Sequence, residues 1–134
     1  MIRIITDEQE RIGDWFCKVN GHEYSPLGMT FIGLESHGEL VAATAYNCFN
    51  GASIQMHVAI TGKFNREALW YAFHYPFNEC GVQKIIAPVP STNTKALRLD
   101  HHFGFITEAI IKDAAPDGDL HLLTMTRDQC RYLN

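Results

Sequence analysis

The segment SIQMHVAITGKFNR, residues 53–66, brings together residue types that bind anions and transfer protons. Its first part alternates apolar and polar residues, which predicts a strand over 53–60 with His57 on the more polar face. Its second part predicts a short loop and the start of a helix, whose free N–H groups and dipole favour an anion. Lys63 and Arg66 add positive charge there, so the segment predicts a phosphate-binding turn. The alternative is an ordinary strand-to-helix turn whose basic residues are merely solvated.

Length and composition limit the classes of protein to consider. The chain has 134 residues, of which 46% are hydrophobic, so we expect one domain over residues 1–134. A net charge of −4 argues against nucleic-acid binding driven by bulk charge. No apolar run approaches the ~20 residues that cross a bilayer. The N-terminus lacks the apolar core of a signal peptide, and we therefore expect a cytoplasmic protein that binds no membrane.

The cysteines and histidines give no metal-binding pattern. The 4 cysteines form no C-x-x-C pair, and among the 7 histidines no two lie four residues apart. Free cysteines among apolar neighbours are typical of buried thiols. We therefore expect no metal site and no redox pair.

Hydrophobic periodicity and turn residues predict the element order βα-βββ-α-β-α-ββ, a mixed sheet flanked by helices. Asn50-Gly51 predicts a hairpin that leads directly into the strand at 53–60. Pro76 predicts a kink or an early end in the second helix. Pro88 and Pro90 place the strand at 84–89 at a splay or a sheet edge.

This order, with three groups of residues, resembles the GNAT family of acyl-CoA-dependent N-acetyltransferases. In the loop at 61–66, Gly62-Lys63 fits the pyrophosphate-binding signature of the family, but no second glycine follows. The other two groups are Asn93, Ala96, Leu99 and Gly104-Phe105, similar to the last helix of the family, and Thr107-Glu108-Ala109-Ile110, similar to its final hairpin. The sequence of the second half, with YPFNECGV and PDGDLHLLTM, is most similar to short GNAT-like proteins encoded by tailed bacteriophages.

The resemblance implies an α/β fold, an α+β mixed sheet that is mostly antiparallel and splayed at the cofactor site. It also implies an enzyme that moves an acetyl group from acetyl-CoA to a primary amine. The acceptor stays open between a protein N-terminus, a lysine and a small amine, and a homodimer is one arrangement that the sequence allows. The residues expected to bind acetyl-CoA are Val58, Ala59, Gly62, Lys63, Phe64, Asn65, Arg66, Asn93 and Ala96.

Acetyl transfer to an amine needs a base, an oxyanion donor and a proton for the leaving thiolate. His57 is the expected base, and Glu35 on a neighbouring strand is an alternative that would act through water. A hydrogen-bonded structural histidine is the competing interpretation of His57. Tyr46 and Tyr71 are candidate proton donors, although core packing explains both equally well.

Two departures from the family favour a second hypothesis. Asp100 stands where many relatives have a tyrosine that is thought to protonate the thiolate. Residues 20–28 read as a loop, where the family usually has a helix that shapes the acceptor pocket. With the incomplete loop signature, the missing tyrosine fits a binding module that keeps the fold and acts on a host protein without catalysis.

Overall fold

A computed structural model describes residues 1–21 and 28–133. Most of the segment predicted as a loop at 20–28 therefore lies outside the described residues. In the described ranges the strands are β1 (Ile2–Ile5), β2 (Thr30–Ser36), β3 (Glu39–Asn47), β4 (Ser53–Ile60), β5 (Lys84–Pro90), β6 (Ile106–Ala115) and β7 (Gly118–Thr126). The helices there are α1 (Gln9–Asn20), α2 (Arg66–His74) and α3 (Thr94–Phe103). This is the element order that the sequence predicts.

The strands form one mixed sheet in the order β1-β2-β3-β4-β5-β7-β6. Neighbouring strands are antiparallel except β4 and β5, which run parallel. α2 lies in the connection between these two strands, because parallel neighbours cannot be joined by a tight turn. The predicted α/β fold with a mostly antiparallel mixed sheet is confirmed.

One face of the sheet, which we call the α1 face, is covered by α1. Ile12 and Phe16 of that helix are fully buried against Phe31, Ala43 and Ala59. Small residues on β3 and β4 let the helix approach the strands closely. Because side chains alternate along a strand, His57 lies on the same face as Ala59.

The opposite face, which we call the α2–α3 face, carries the larger apolar core. Phe73 of α2 and Phe103 of α3 pack there with Met56 and Ile85 of the central strands. α2 ends at His74 and a π-helical turn follows at Tyr75–Glu79, so the early end that Pro76 predicts is confirmed.

β4 and β5 separate before either strand ends. Their pairing stops at Gln55 and Ile86, whereas β5 remains paired with β7 as far as Pro90. Pro88 and Pro90 lack the N–H groups with which β5 could hold β4 in this region. The predicted splay is therefore confirmed, although β5 is a central strand and not an edge. No helix in the described part of the chain is long and apolar enough to cross a membrane.

Candidate active site

The splay opens into a cavity of about 340 Å³ that reaches from one face of the sheet to the other. β4 lines it with Met56, His57, Val58 and Ile60, and β5 lines it with residues 87–90. The last residues of α1 border it on the α1 face, and α3 borders it on the α2–α3 face. The cavity thus combines side chains from two helices with stretches of β4 and β5 that do not pair with each other.

His57 lies on the α1 side of this cavity and is half-buried. Its Nε2 lies 3.0 Å from Asn47 Oδ1. In the tautomer in which Nε2 donates to that oxygen, Nδ1 is the basic nitrogen of the neutral ring. Burial lowers the pKa of His57 to about 4, so the imidazole is neutral at physiological pH. A neutral imidazole can accept a proton, which is the chemistry predicted for this residue.

Asp100 of α3 lines the cavity from the other side and is only 7% exposed. Within the described residues its carboxyl has no ion-pair or hydrogen-bond partner, and burial alone raises its pKa to about 7. The carboxyl group is therefore protonated over much of the acidic and neutral range, and in that form it can donate a proton.

The β4 edge offers backbone groups to the cavity at alternate residues. The Asn20 side-chain amide donates to the Val58 carbonyl at 3.1 Å, whereas Thr61 N–H donates to Val41 of β3. A residue in a strand points its N–H and C=O to the same side. Val58 therefore turns its N–H toward the opening, and Ala59, paired with Ala43, turns its N–H toward β3. Of the two β4 residues expected to bind acetyl-CoA, Val58 borders the cavity and Ala59 lies buried under α1.

Several residues of the loop between β4 and α2 make contacts that hold the loop against the rest of the protein. The N–H groups of Thr61 and Gly62 both donate to the Val41 carbonyl, at 2.9 and 3.0 Å. A Cβ atom at Gly62 would lie 3.0 Å from Val41 Cβ, so close approach requires glycine there. Phe64 packs edge-on against Phe103, with ring centroids 5.8 Å apart. Gly62 and Phe64 thus hold the loop on the protein.

The N-terminus of α2 keeps anion-binding capacity. Asn65 caps the helix by accepting a hydrogen bond from Ala68 N–H at 2.7 Å. The N–H groups of Arg66 and Glu67 precede the first capped position and have no partner within the helix. Lys63 and Arg66 are exposed beside them, and neither forms an ion pair within the described residues.

α3 begins directly at the cavity. Asn93 caps the helix by accepting from Ala96 N–H at 3.2 Å, and both residues line the opening, as does the exposed Lys95. The side chain of Asn93 therefore caps α3 and also borders the cavity.

Glu35 lies apart from the cavity, at the far edge of the sheet. Its carboxylate accepts from Arg11 at 2.7 Å and from Arg3 at 3.2 Å, and Glu8 joins the same network. Hydrogen bonds from Arg3, then from Arg11, hold the pKa of Glu35 below its usual range. The structure thus separates this candidate base from His57 and gives its charge a structural role.

Neither candidate tyrosine borders the opening. The buried Tyr46 hydroxyl donates to the Ala72 carbonyl and lies 2.9 Å from Thr44 Oγ1, and burial raises its pKa. Tyr71 lies on α2 with its ring centroid 5.0 Å from that of Trp70. Core and surface packing account for both residues.

Three residues that line the cavity were not among the predicted site residues: Asn20, Lys95 and Asp100. Asn20 reads as a helix-stop residue before Gly21, and its contact with β4 depends on where α1 ends. Asp100 lies one turn after Ala96, on the stripe that carries the apolar residues of α3. A carboxyl on that stripe is the signal that points to a buried acid.

Cysteine and histidine chemistry adds nothing at this site. The cysteines Cys17, Cys48, Cys80 and Cys130 are all free. Across residues 1–21 and 28–133, no group of three or more His, Cys, Asp or Glu side chains is arranged to hold a metal ion.

The fold is that of the GNAT N-acetyltransferases. The chain matches solved structures of the spermidine N-acetyltransferase SpeG from Vibrio cholerae over nearly the full length of both proteins. A single-substitution mutant of SpeG matches with a TM-score of 0.76 and 16% identity, covering 99% of this chain and 96% of that one. The dodecameric SpeG in an intermediate state matches with a TM-score of 0.74 and 18% identity, covering 99% and 96%.

Comparison by sequence finds no match, in contrast to comparison by structure. No protein-family model matches the chain, and no curated protein matches it. The SpeG structures come from a bacterium, so the resemblance to phage-encoded proteins gains no support from them.

Proposed function

We propose that this protein transfers an acetyl group from acetyl-CoA to a primary amine, by direct attack in a ternary complex. The observation that carries the proposal is the cavity at the splay, where a free β4 edge and two titratable side chains meet. The fold supports it, since the neighbours in structure are amine N-acetyltransferases.

The free strand edge suits the amide-rich arm of coenzyme A, and Val58 N–H is the proposed donor to the oxyanion formed from the thioester carbonyl. The start of α2, with Lys63 and Arg66, is the proposed site for the pyrophosphate. Coenzyme A is a substrate here, and no metal is part of the proposal.

In the proposed reaction, the lone pair of a neutral amine attacks the thioester carbon, and the carbonyl becomes an oxyanion. The nitrogen becomes acidic as the C–N bond forms, so a weak base suffices to remove its proton. His57 is the proposed base, because it is neutral and lines the cavity.

Release of free thiol from acetyl-CoA tests the proposal. Suitable acceptors are spermidine, which the SpeG neighbours are named for, a lysine peptide with a blocked N-terminus and a lysine-free peptide with a free N-terminus. Acetylated product with thiol release for any acceptor supports the proposal, and the three acceptors separate its possible substrates. Reactions without amine control for hydrolysis.

Binding is measured separately from turnover. Coenzyme A at ~100 times its dissociation constant should add about 2.7 kcal/mol to the free energy of unfolding. Stabilisation without thiol release from any amine would favour the binding module, and the absence of both would overturn the proposal. Light scattering with and without coenzyme A tests the homodimer, which stays a prediction.

A further inference from the structure

The cavity is lined by two ionisable side chains, one from each face of the sheet, and both are held toward their neutral forms by burial. His57 enters it from the α1 side and Asp100 from the α2–α3 side, and both belong to its lining. A pair of groups whose environments push their pKa values in opposite directions is the pattern of an acid and a base that act on one substrate. Here the group usually cationic in acid is neutral, and the group usually anionic is protonated.

We propose that Asp100 is the general acid of the transfer, and that it gives its proton to the leaving sulfur from the α3 side while His57 takes the amine proton from the α1 side. This inference rests on the proposed acetyl transfer and adds a catalytic residue to it. A substrate held in the splay lies between the two groups, because the opening passes through the sheet at that point.

The proton and electron balance closes with these residues alone. The amine forms a C–N bond to the acetyl carbon, and its proton passes to His57. The C–S bond breaks, and the sulfur takes its electron pair and the Asp100 proton to leave as a thiol. The imidazolium and the carboxylate that remain lie on one cavity, so a proton relay through water returns both to their starting forms.

The charged neighbours of Asp100 do not compete for its proton. Lys95, on its own helix, is exposed, and His57 is the titratable residue that β4 contributes to the cavity. β5 lines the cavity with the apolar residues 87–90. From the C-terminal segment packed against α3, Tyr132 contacts Phe103, and Arg131 donates to the His102 carbonyl.

Two further ionisable residues of α3, His101 and Arg98, do not line the cavity. His101 Nδ1 lies 3.1 Å from the Phe105 carbonyl, and its Nε2 lies 3.2 Å from Thr107 Oγ1. Arg98 is exposed and does not belong to the cavity lining. Among residues 1–21 and 28–133, the protonation of Asp100 is therefore governed by its burial.

The first experiment compares turnover of wild type and Asp100→Asn at saturating acetyl-CoA and spermidine between pH 5 and pH 9. The ratio of the two rates cancels the titration of the amine, because both enzymes use the same acceptor. We expect a ratio of about 10²–10⁴ at acidic pH, typical of a general acid, that falls toward one as the pH rises through about 7. Asp128→Asn, an exposed aspartate far along the chain, should give a ratio of one at every pH.

The second experiment changes the leaving group. A thiol that is already acidic needs little protonation, so Asp100→Asn should lose far less activity with S-acetyl-4-nitrothiophenol than with acetyl-CoA. A structural defect would slow both donors equally. Circular dichroism and coenzyme A binding establish that the variant is folded.

The results separate the role of Asp100 from the proposed acetyl transfer itself. A folded Asp100→Asn variant with wild-type turnover, or a rate ratio independent of pH and of the donor, overturns the role of Asp100 and leaves acetyl transfer standing. Absence of thiol release by the wild type with every amine overturns the proposed function itself.

Discussion

Two clusters of ionisable side chains in this protein differ in charge for different physical reasons: ion pairing keeps one charged, and burial keeps the other neutral. At the edge of the sheet, Arg3 and Arg11 hold Glu35 as a carboxylate. At the splay, burial moves both His57 and Asp100 toward their neutral forms. Ion pairing holds Glu35 in its charged form, whereas burial without a counter-charge favours the neutral forms, an imidazole that can accept a proton and a carboxyl that can donate one. The first cluster suits structure, and the second suits chemistry.

The largest effect we expect comes from the base at the splay. His57→Gln removes the nitrogen that accepts the amine proton but keeps a polar side chain next to Asn47. Turnover should fall by about 10²–10⁴ if the proposed transfer occurs. Steady-state thiol release from pH 6 to pH 9 measures it. Wild-type turnover in a folded variant would make His57 a structural residue and remove the contrast between the two clusters.

The buried acid should also affect stability. Its folded-state pKa of about 7 exceeds the ordinary 3.8, so the stability that it contributes is fully present below about pH 4 and is lost as the pH rises through 7. Asp100→Asn should therefore be more stable than wild type at pH 8, by at most about 4 kcal/mol, since one pKa unit corresponds to about 1.4 kcal/mol. The difference should shrink at pH 5. Urea unfolding at both pH values measures it, and an equal effect at both would show that Asp100 is charged throughout.

A smaller effect is expected at the start of α2. Arg66→Ala should leave the free protein equally or more stable, because a positive charge at a helix N-terminus is unfavourable. It should weaken coenzyme A binding about 10–100-fold, the value of a charge-assisted hydrogen bond. Calorimetry tests this, with Lys112→Ala on the exposed edge strand as a matched control. Equal affinity of the Arg66 variant and wild type would make this arginine an ordinary surface residue.

The smallest effect on activity is expected at the edge cluster. Glu35→Gln removes the charge that pairs with Arg3 and Arg11, so the melting temperature should fall, more at low than at high salt, because salt screens partly exposed ion pairs. Turnover at a temperature where the variant is folded should stay at the wild-type level. A large loss of turnover there, with an altered pH profile, would make Glu35 part of the reaction and not only of the structure.

Local sequence predicted the order of the elements and several of their ends. The strand at 53–60, the end of α1 before Gly21, the cap of α3 at Asn93 and the break at Pro76 depend on contacts within a few residues. The hairpin predicted at Asn50-Gly51 is confirmed, since β3 and β4 pair antiparallel on either side of it. β3 ends at Asn47 and β4 begins at Ser53, and the Asn50 side chain holds the connection by accepting from the N–H groups of Ala52 and Ser53.

The fold, the splay at Pro88 and Pro90, and the titratable His57 beside it could thus be predicted from local sequence. The partners of each ionisable group could not, because they come from distant parts of the chain. Glu35 meets Arg3 and Arg11 because β1 pairs with β2 and α1 lies across them. Asp100 shares a cavity with His57 because α3 borders the opening where β5 separates from β4. A protonation state depends on the charges and the solvent within a few ångströms, and residues far apart in the chain supply both.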